Sequence, residues 1–178
     1  MDIELRIPTI DDKEGLKKLC NAVDRTYLSD RMPYPYTDEA AEWWINMVAE
    51  NEGTNGVWRV IYHDGKLVGN ISVEKKSGVF HKDAEIGYCL LTDYWAQGIA
   101  TEAARQICRI AFDNLDIIRI TGEYYKPNGA SGRVMEKVGF KYEGTRKHAV
   151  IKGKSVFDLC MTGLLKEDFE ENKCSNKK

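Results

Sequence analysis

Residues 94–107 read YWAQGIATEAARQI, and this stretch decides the fold because it carries the chain from a strand into a helix. The helix opens on Gly98 with no acidic cap directly before it, and Ala100 follows within the first turn. Helix N-termini present unpaired N–H groups and a partial positive charge, and both small residues leave that backbone open to an anion. The stretch therefore predicts a phosphate site, although a helix start capped by water accounts for the same residues equally well.

Strands are predicted on both sides of this helix, which is expected to run to about Phe112. AEIGYCLL (84–91) precedes the helix and IIRITGEYY (117–125) follows it. A helix between two strands of one sheet requires a right-handed crossover, so these two strands are predicted to be parallel neighbours or nearly so.

The remaining strands are predicted to pair as antiparallel hairpins. Asp64-Gly65 is a dipeptide suited to a two-residue hairpin turn, and Lys152-Gly153 joins the last two strands. The hairpin strands are, in chain order, about 57–63, 66–74, 140–151 and 154–164. The sequence thus predicts a mixed α/β sheet with one central crossover.

Helix caps complete the predicted order of elements. Thr9 offers a cap for a helix that ends near Ala22, and Thr37 opens a second helix. Asn128 is the predicted N-cap of a short helix that Gly139 closes at its C-terminus. With a first strand near residues 2–7, the predicted order is β-α-α-β-β-β-α-β-α-β-β.

Composition argues against several classes of protein. The 178 residues include 26 basic and 28 acidic side chains, for a formal net charge of -2, so no broad positive field is available for DNA or RNA. No apolar run approaches the roughly 20 residues of a membrane span, and the N-terminus lacks a secretory pattern. We expect a cytoplasmic protein without nucleic-acid or membrane partners, with one domain over 1–166 and a polar, frayed tail over 167–178.

Two other kinds of site lack their motifs. The five cysteines include no C-x-x-C pair and have no histidine at ligand spacing, which predicts free thiols and no metal site. The phosphate stretch has neither G-x-x-x-x-G-K-[ST] nor G-x-G-x-x-G with an acidic residue about 20 positions on. What remains is a phosphate held mainly by backbone amides.

Two segments, AEIGYCLLTDYWAQGIATEA (84–103) and NGASGRVMEKVGF (128–140), resemble the GNAT superfamily of acetyl-CoA-dependent N-acetyltransferases. Within it, the chain is most similar to the Rim-type branch, which includes ribosomal-protein N-terminal acetyltransferases. The similarity covers about residues 3–165. In the family a [QR]-x-x-G-x-[GA] signature cradles the coenzyme A pyrophosphate, and here Trp95 occupies the place where Gln or Arg is usual.

The resemblance implies a fold, a cosubstrate and a binding site. The fold is α/β (α+β), with a mixed, mostly antiparallel central sheet whose single parallel pair splays apart. The pantetheine arm of acetyl-CoA would lie in that gap like an added strand, and no metal takes part. The implied cofactor-binding residues are Cys89, Leu90, Leu91, Ala96, Gln97, Gly98, Ile99, Ala100, Thr101 and Asn128.

The resemblance also implies catalytic residues for transfer of an acetyl group to an amine. Glu85 is the implied base, acting through a water or directly, with a structural or substrate-orienting carboxylate as the alternative. Many family members place a tyrosine acid seven residues after the asparagine, where this chain has Met135. Ser131 matches a serine of the Rim-type branch, although a first-turn hydroxyl has a simpler structural role. A backbone N–H near Leu90 is expected to stabilise the oxyanion.

The acceptor is left open between a protein N-terminus and a small-molecule amine. Tyr34 and Tyr36, on a proline-rich loop, are candidates for lining the acceptor groove. Trp43 and Trp44 are predicted to pack in the core, with a substrate cage as the alternative. Packing of the C-terminal strands is compatible with a homodimer.

A coenzyme A-binding domain without catalysis, used for sensing or assembly, is the alternative function. Met135 favours this alternative, whereas Glu85 and Ser131 favour an enzyme.

Overall fold

A seven-stranded sheet forms the centre of the molecule, whose computed structural model describes residues 2–175, with side chains over 2–170. The strands lie in the order β1-β2-β3-β4-β5-β7-β6, and of the neighbouring pairs in this described sheet β4 and β5 are parallel. Their bounds are β1 Ile3–Arg6, β2 Gly56–His63, β3 Lys66–Lys75, β4 Asp83–Leu90, β5 Arg119–Tyr125, β6 Lys141–Lys152 and β7 Ser155–Leu165. The predicted mixed, mostly antiparallel sheet is confirmed.

Five α-helices accompany the described sheet. Their bounds are α1 Lys13–Ala22, α2 Asp38–Asn51, α3 Ile99–Asn114, α4 Gly129–Val138 and α5 Lys166–Ser175. Two predicted caps are confirmed: the side chain of Thr37 accepts from the N–H of Ala40, and Asn128 accepts from the N–H of Ser131. Gly139 ends α4 with φ 111°, a left-handed conformation that favours glycine. No helix within residues 2–175 is long and apolar enough to cross a membrane.

The β2–β3 hairpin turns at the predicted dipeptide. Asp64 and Gly65 have φ values of 48° and 71°, which is the positive-φ pair of a type I′ turn. The pairing of His63 with Lys66 closes the turn directly. This turn sets the β2–β3 register as far as Tyr62 and Leu67, beyond which the register shifts by one residue.

The parallel pair separates partway along its length, as the resemblance implied. Pairing between β4 and β5 ends at Ile86 and Gly122, while β4 continues to Leu90 and β5 to Tyr125. We call the space between Gly87–Leu90 and Glu123–Tyr125 the β4–β5 gap. One edge of β4 is therefore left without a strand partner along the gap.

Helices cover both faces of the sheet, and neighbouring residues of one strand show this. Ile61 packs in the main core with α3 residues such as Ile107, whereas Val60 packs with Leu16 of α1 and Ile45 of α2. Since successive strand residues point to opposite faces, α3 lies on one face and α1 with α2 on the other. The gap thus opens to α3 and its face on one side of the sheet and to α1 and α2 on the other.

The apolar face of α2 differs from the one expected. Ala41, Ile45 and Val48 are its buried residues, and Trp44 packs at the edge of their cluster. Trp43 is 67% exposed, so the prediction that it packs in the core is wrong. Adjacent positions lie about 100° apart around a helix, so two neighbouring tryptophans cannot both face the same layer.

The expected polar tail begins instead as the helix α5, Lys166–Ser175, and positions 176–178 lie outside the described residues. Phe169 is buried and its ring centroid lies 5.6 Å from that of Phe112 on α3. One aromatic residue in a polar segment docks it, because burial of a ring outweighs the polarity of its neighbours.

We expect Phe169→Ala to lower the free energy of unfolding by about 3 kcal/mol, through lost burial and a cavity beside Phe112. Urea unfolding followed by circular dichroism measures this change. Phe80→Ala is the matched control, since Phe80 is 63% exposed and its loss should change stability by less than about 0.5 kcal/mol. Equal effects of the two variants would show that α5 does not depend on this contact.

Candidate active site

The start of α3 is a bare, strained stretch of backbone. Gly98 caps the helix with φ 83°, and Ala96, two residues earlier, has φ 58°. A non-glycine residue with this φ is uncommon, and such residues are found at tight turns and at functional sites. The first helical bond runs from the N–H of Glu102 to the carbonyl of Gly98, so the three preceding N–H groups have no helical partner. These N–H groups belong to Ile99, Ala100 and Thr101.

Charged side chains surround this helix start. Gly98 lines a cleft of about 270 Å³ together with Thr101, Glu102, Arg105 and Lys137. Arg105 Nη1 donates to Glu102 Oε2 over 2.8 Å, which offsets the only carboxylate among the cleft residues. Two cations and free N–H groups make the cleft suitable for phosphates. No sequence motif marks Arg105 or Lys137 as part of this cleft, although Arg105 follows Thr101 by four residues and so shares its helix face.

Alternate residues of β4 direct their main-chain N–H and C=O groups toward the gap. The N–H of Leu91 donates to the carbonyl of Val68, and a Cβ placed on Gly69 would lie 2.5 Å from the carbonyl oxygen of Cys89. Cys89 and Leu91 therefore turn their main-chain groups toward β3. By alternation, Tyr88 and Leu90 turn theirs toward the gap. Of the three residues expected along this edge, the structure presents only Leu90 to the gap, and it adds Tyr88.

Trp95 ties the loop before α3 to the end of β4. Its indole Nε1 donates to the carbonyl of Leu90 over 2.9 Å, although half of the side chain is exposed. Gln97, also expected in the loop, donates from Nε2 to the carbonyl of Asp93 over 2.8 Å. Both side chains hold the loop in shape, which leaves the backbone between them free. The hydrogen bond to Leu90 thus gives Trp95, the unusual residue of the signature, a structural role.

Glu85 lies on the sheet face opposite α4. Its neighbours Ala84 and Ile86 pack in the core with α3 and α4, so alternation places the Glu85 carboxylate on the other face. Burial raises the pKa of Glu85 above its usual value, and the charge of Glu123 on β5 raises it further. A carboxylate with a raised pKa is a better proton acceptor than an ordinary one. Glu123 was missed by the sequence analysis, which did not use the β4–β5 register.

Ser131 lies on α4, on the opposite face of the sheet from the Glu85 carboxylate. Its hydroxyl oxygen lies 2.8 Å from the Tyr88 hydroxyl, and its N–H donates to Asn128 Oδ1 over 3.3 Å. Met135, at the usual tyrosine position, is 1% exposed, and its Sδ would lie 2.9 Å from a Cβ placed on Gly122. The helix therefore presents Ser131, and not residue 135, toward Tyr88.

The two tyrosines expected in the acceptor groove differ in exposure. Tyr34 is 70% exposed, with the Arg25 guanidinium 5.0 Å from its ring centroid. Tyr36 is 6% exposed and packs with Cys20 and Ala41, so it cannot line an open groove, and that expectation is wrong. Its N–H also bonds to Asn21, which fixes the loop on α1. Burial of the ring in this small cluster removes apolar surface from water, which stabilises the fold.

An aromatic cluster stands instead at the open end of the gap. Tyr125 of β5 stacks on Phe157 of β7 with centroids 5.5 Å apart, and Tyr27 meets both rings edge-on. Lys152 of β6 donates to the carbonyls of Arg25 and Leu28, which fastens the loop that carries Tyr27. Tyr125 follows Glu123 by two residues, so strand alternation could have placed it on the Glu85 face. Nothing in the sequence pattern marks Tyr27 or Phe157.

Comparisons with known proteins agree on one family. The acetyltransferase (GNAT) domain matches residues 2–141. The Bacillus subtilis (strain 168) protein YdaF, named as a candidate ribosomal N-acetyltransferase, is 33% identical over 119 residues. That alignment covers 67% of this chain and 64% of YdaF, so the chain spans slightly less than two thirds of this relative's length.

Solved structures share the fold. The ribosomal-protein-S5-alanine acetyltransferase of Vibrio fischeri has a TM-score of 0.81 at 19% identity, over 95% of this chain and 96% of that one. RimL, a ribosomal L7/L12 alpha-N-protein acetyltransferase in complex with coenzyme A, has a TM-score of 0.80 at 22% identity, over 92% and 93%.

Proposed function

Because the chain belongs to the GNAT family of acetyltransferases, we propose that it transfers an acetyl group from acetyl-CoA to a primary amine by direct attack in a ternary complex. The observation that carries this proposal is the β4–β5 gap, which begins after Ile86 and Gly122 and leads to the bare start of α3. An unpaired strand edge beside an anion site matches an extended molecule with a polar chain and phosphates at one end.

In this proposal, backbone groups make the main contacts with the cofactor. The loop and helix start over 96–101 hold the pyrophosphate, while the main chain of Tyr88 and the N–H of Leu90 face the pantetheine arm. Arg105 and Lys137 bring positive charge to the phosphates. Asn128 caps α4 and can reach the coenzyme only with the part of its amide that the cap leaves free. RimL, which shares the fold, is solved in complex with coenzyme A, and this supports coenzyme A as the ligand.

Glu85 is the proposed base. An amine is mostly protonated at neutral pH, with reference pKa values near 8 for an α-amine and 10 for lysine, so it must lose a proton before attack. The Glu85 carboxylate takes that proton directly or through a water. Its raised pKa brings it closer to the pKa of the amine, which makes the transfer less unfavourable.

Backbone and hydroxyl donors complete the proposed chemistry. The N–H of Leu90 faces the gap and is placed to stabilise the oxyanion that forms when the amine adds to the thioester carbon. Ser131 faces the gap from α4, where its hydroxyl can donate to the sulfur as the C–S bond breaks. The free thiol has a reference pKa of about 8.5, so hydrogen bonding suffices and full protonation is not required.

A protein N-terminus is the acceptor that the relatives favour. YdaF and the Vibrio fischeri and RimL structures are all named for ribosomal proteins, whereas a small amine is the other candidate. The aromatic cluster of Tyr27, Tyr125 and Phe157 and the exposed Tyr34 provide the surface on which either would lie. The carboxylates of Glu85 and Glu123 on the same face favour a cationic amine over a neutral one.

We expect Arg105→Ala and Lys137→Ala each to raise the Kd for coenzyme A about fivefold, because each exposed cation contributes up to about 1 kcal/mol to a phosphate contact. Isothermal calorimetry measures this change, which should shrink as salt is added. Arg109→Ala is the matched control, since Arg109 is an exposed cation one turn further along α3. The assignment of the cleft fails if all three variants bind equally.

Coenzyme A release in the presence of an amine panel tests the activity itself. The panel contains peptides with free N-termini, the same peptides with blocked N-termini, and small amines. We expect release with free amines only. Strong thermal stabilisation by coenzyme A without release from any acceptor would instead indicate the non-catalytic binding domain.

A further inference from the structure

A hydrogen bond joins the end of β4 to the first turn of α4. The Tyr88 hydroxyl lies 2.8 Å from Oγ of Ser131 and 3.5 Å from the carbonyl oxygen of the same residue. Tyr88 follows Ile86, the last residue of β4 paired with β5, by two positions, so the contact borders the gap. Capping does not explain it, because Asn128 already caps α4 through the N–H of Ser131.

Either hydroxyl of this pair can donate, and the Ser131 carbonyl oxygen, 3.5 Å away, offers the Tyr88 proton an acceptor on the same residue. Burial raises the pKa of Tyr88 to about 12, so its phenol is protonated and able to donate at neutral pH. A serine hydroxyl has one proton and two acceptor lone pairs. When Ser131 accepts the phenol proton, its own proton is left free to point at another acceptor.

We propose that Tyr88 is a positioning residue that orients the Ser131 hydroxyl toward the departing sulfur of coenzyme A. This inference rests on the proposed acetyl transfer. The amine nitrogen bonds to the acetyl carbon, the C–S bond breaks, and its electron pair stays on sulfur. Ser131 donates a hydrogen bond to that thiolate. Glu85 already holds the proton taken from the ammonium form of the amine, so the second nitrogen proton, lost as the amide forms, passes through water to the thiolate.

No proton needs to leave Tyr88 in this scheme. A phenol with a pKa of about 12 is a poor acid toward a thiolate with a reference pKa near 8.5, so net transfer is uphill. Instead, the hydrogen bond from the Tyr88 hydroxyl polarises the Ser131 hydroxyl. It supplies a donor at a place where Met135, buried under Gly122, offers none.

Kinetics of three variants test the inference. Tyr88→Phe should lower kcat about tenfold and leave the KM for acetyl-CoA unchanged, because the Ser131 hydroxyl is no longer held in the orientation that donates to the developing charge. Ser131→Ala should cost at least as much, and Tyr88→Phe should cost nothing further in that background. Tyr62→Phe is the matched control: it removes a phenol hydroxyl on β2, outside the gap, that donates to Asp12 over 2.6 Å, and kcat should be unchanged. Equal losses from Tyr88→Phe in both backgrounds would contradict the positioning role.

A binding measurement separates this inference from the activity. The thiol of bound coenzyme A can be titrated by the ultraviolet absorbance of its thiolate. Tyr88→Phe should raise that titration midpoint by about one pH unit, because Ser131 without its partner no longer holds its hydroxyl toward the thiolate. An unchanged midpoint contradicts the inference alone. Failure of the unaltered protein to release coenzyme A with any acceptor would overturn the proposed function and this inference with it.

Discussion

Replacing Glu85 with glutamine is expected to lower kcat about 100-fold at neutral pH, with partial recovery at high pH and little change in the KM for acetyl-CoA. In the unaltered protein the rate should rise with pH through the pKa of Glu85, which burial places above its usual value. The glutamine cannot accept the proton of the amine. Its rate therefore depends on the fraction of acceptor that is already neutral, which increases at high pH.

Stability measurements show whether the lower kcat of Glu85→Gln comes from the missing base or from a less stable fold. A raised pKa means that the folded protein binds the proton of Glu85 more tightly than the unfolded chain does. Stability contributed by this group therefore falls as the pH rises through the folded-state pKa, and the ionised carboxylate opposes folding. Glu85→Gln should accordingly melt no lower than the unaltered protein at neutral pH.

Glu74→Gln is the matched control for the base. Glu74 lies opposite Glu85 across β3 and β4, but its carboxylate accepts from Ser72 over 2.9 Å and lies 3.6 Å from Arg31. We expect its kcat to change by no more than about threefold, as for the loss of a surface ion pair. An unchanged pH–rate profile in Glu85→Gln would remove Glu85 as the base.

Gly98→Asp is expected to raise the Kd for coenzyme A about 100-fold. Two causes add: an L-residue at φ 83° strains the cap by about 1 kcal/mol or more, and a carboxylate at the helix start repels phosphate and competes for the same N–H groups. Calorimetry with coenzyme A gives the Kd, and circular dichroism shows whether the helix content is kept.

Gly53→Asp provides a control with the same backbone problem in a different place. Gly53 has φ 75°, and a Cβ there would meet no atom within 4 Å. Its strain resembles that at Gly98, but it lies in the turn after α2 and not in the phosphate cleft. Similar losses of coenzyme A affinity in both variants would indicate general destabilisation and contradict the phosphate assignment.

The elements of the fold were predictable because their signals are local. Asp64-Gly65 marks one turn, and Asn128 with Gly139 marks both ends of α4. The crossover through α3 follows from chirality and connection length. In contrast, α5 depends on the contact of Phe169 with Phe112, which joins residues far apart in sequence.

The site was predictable where the backbone carries it and less so where side chains do. Gly98 marks the anion site by its residue type, but the direction of each peptide group along β4 depends on which β3 residue it pairs with. That pairing is why Cys89 and Leu91 turn away from the gap while Tyr88 faces it. Tyr36 likewise cannot line the acceptor groove because it is buried, and the composition of a loop does not predict which of its side chains are buried.

Acetyl-CoA labelled in its acetyl group tests the central claim most directly, followed by intact-mass measurement of the protein and of a peptide acceptor with a free N-terminus. Direct attack in a ternary complex predicts that the protein gains no acetyl group when the acceptor is absent, and that the labelled acetyl group appears on the peptide amine when it is present. A labelled acetyl group on the protein itself, or none on any amine acceptor, would contradict the account.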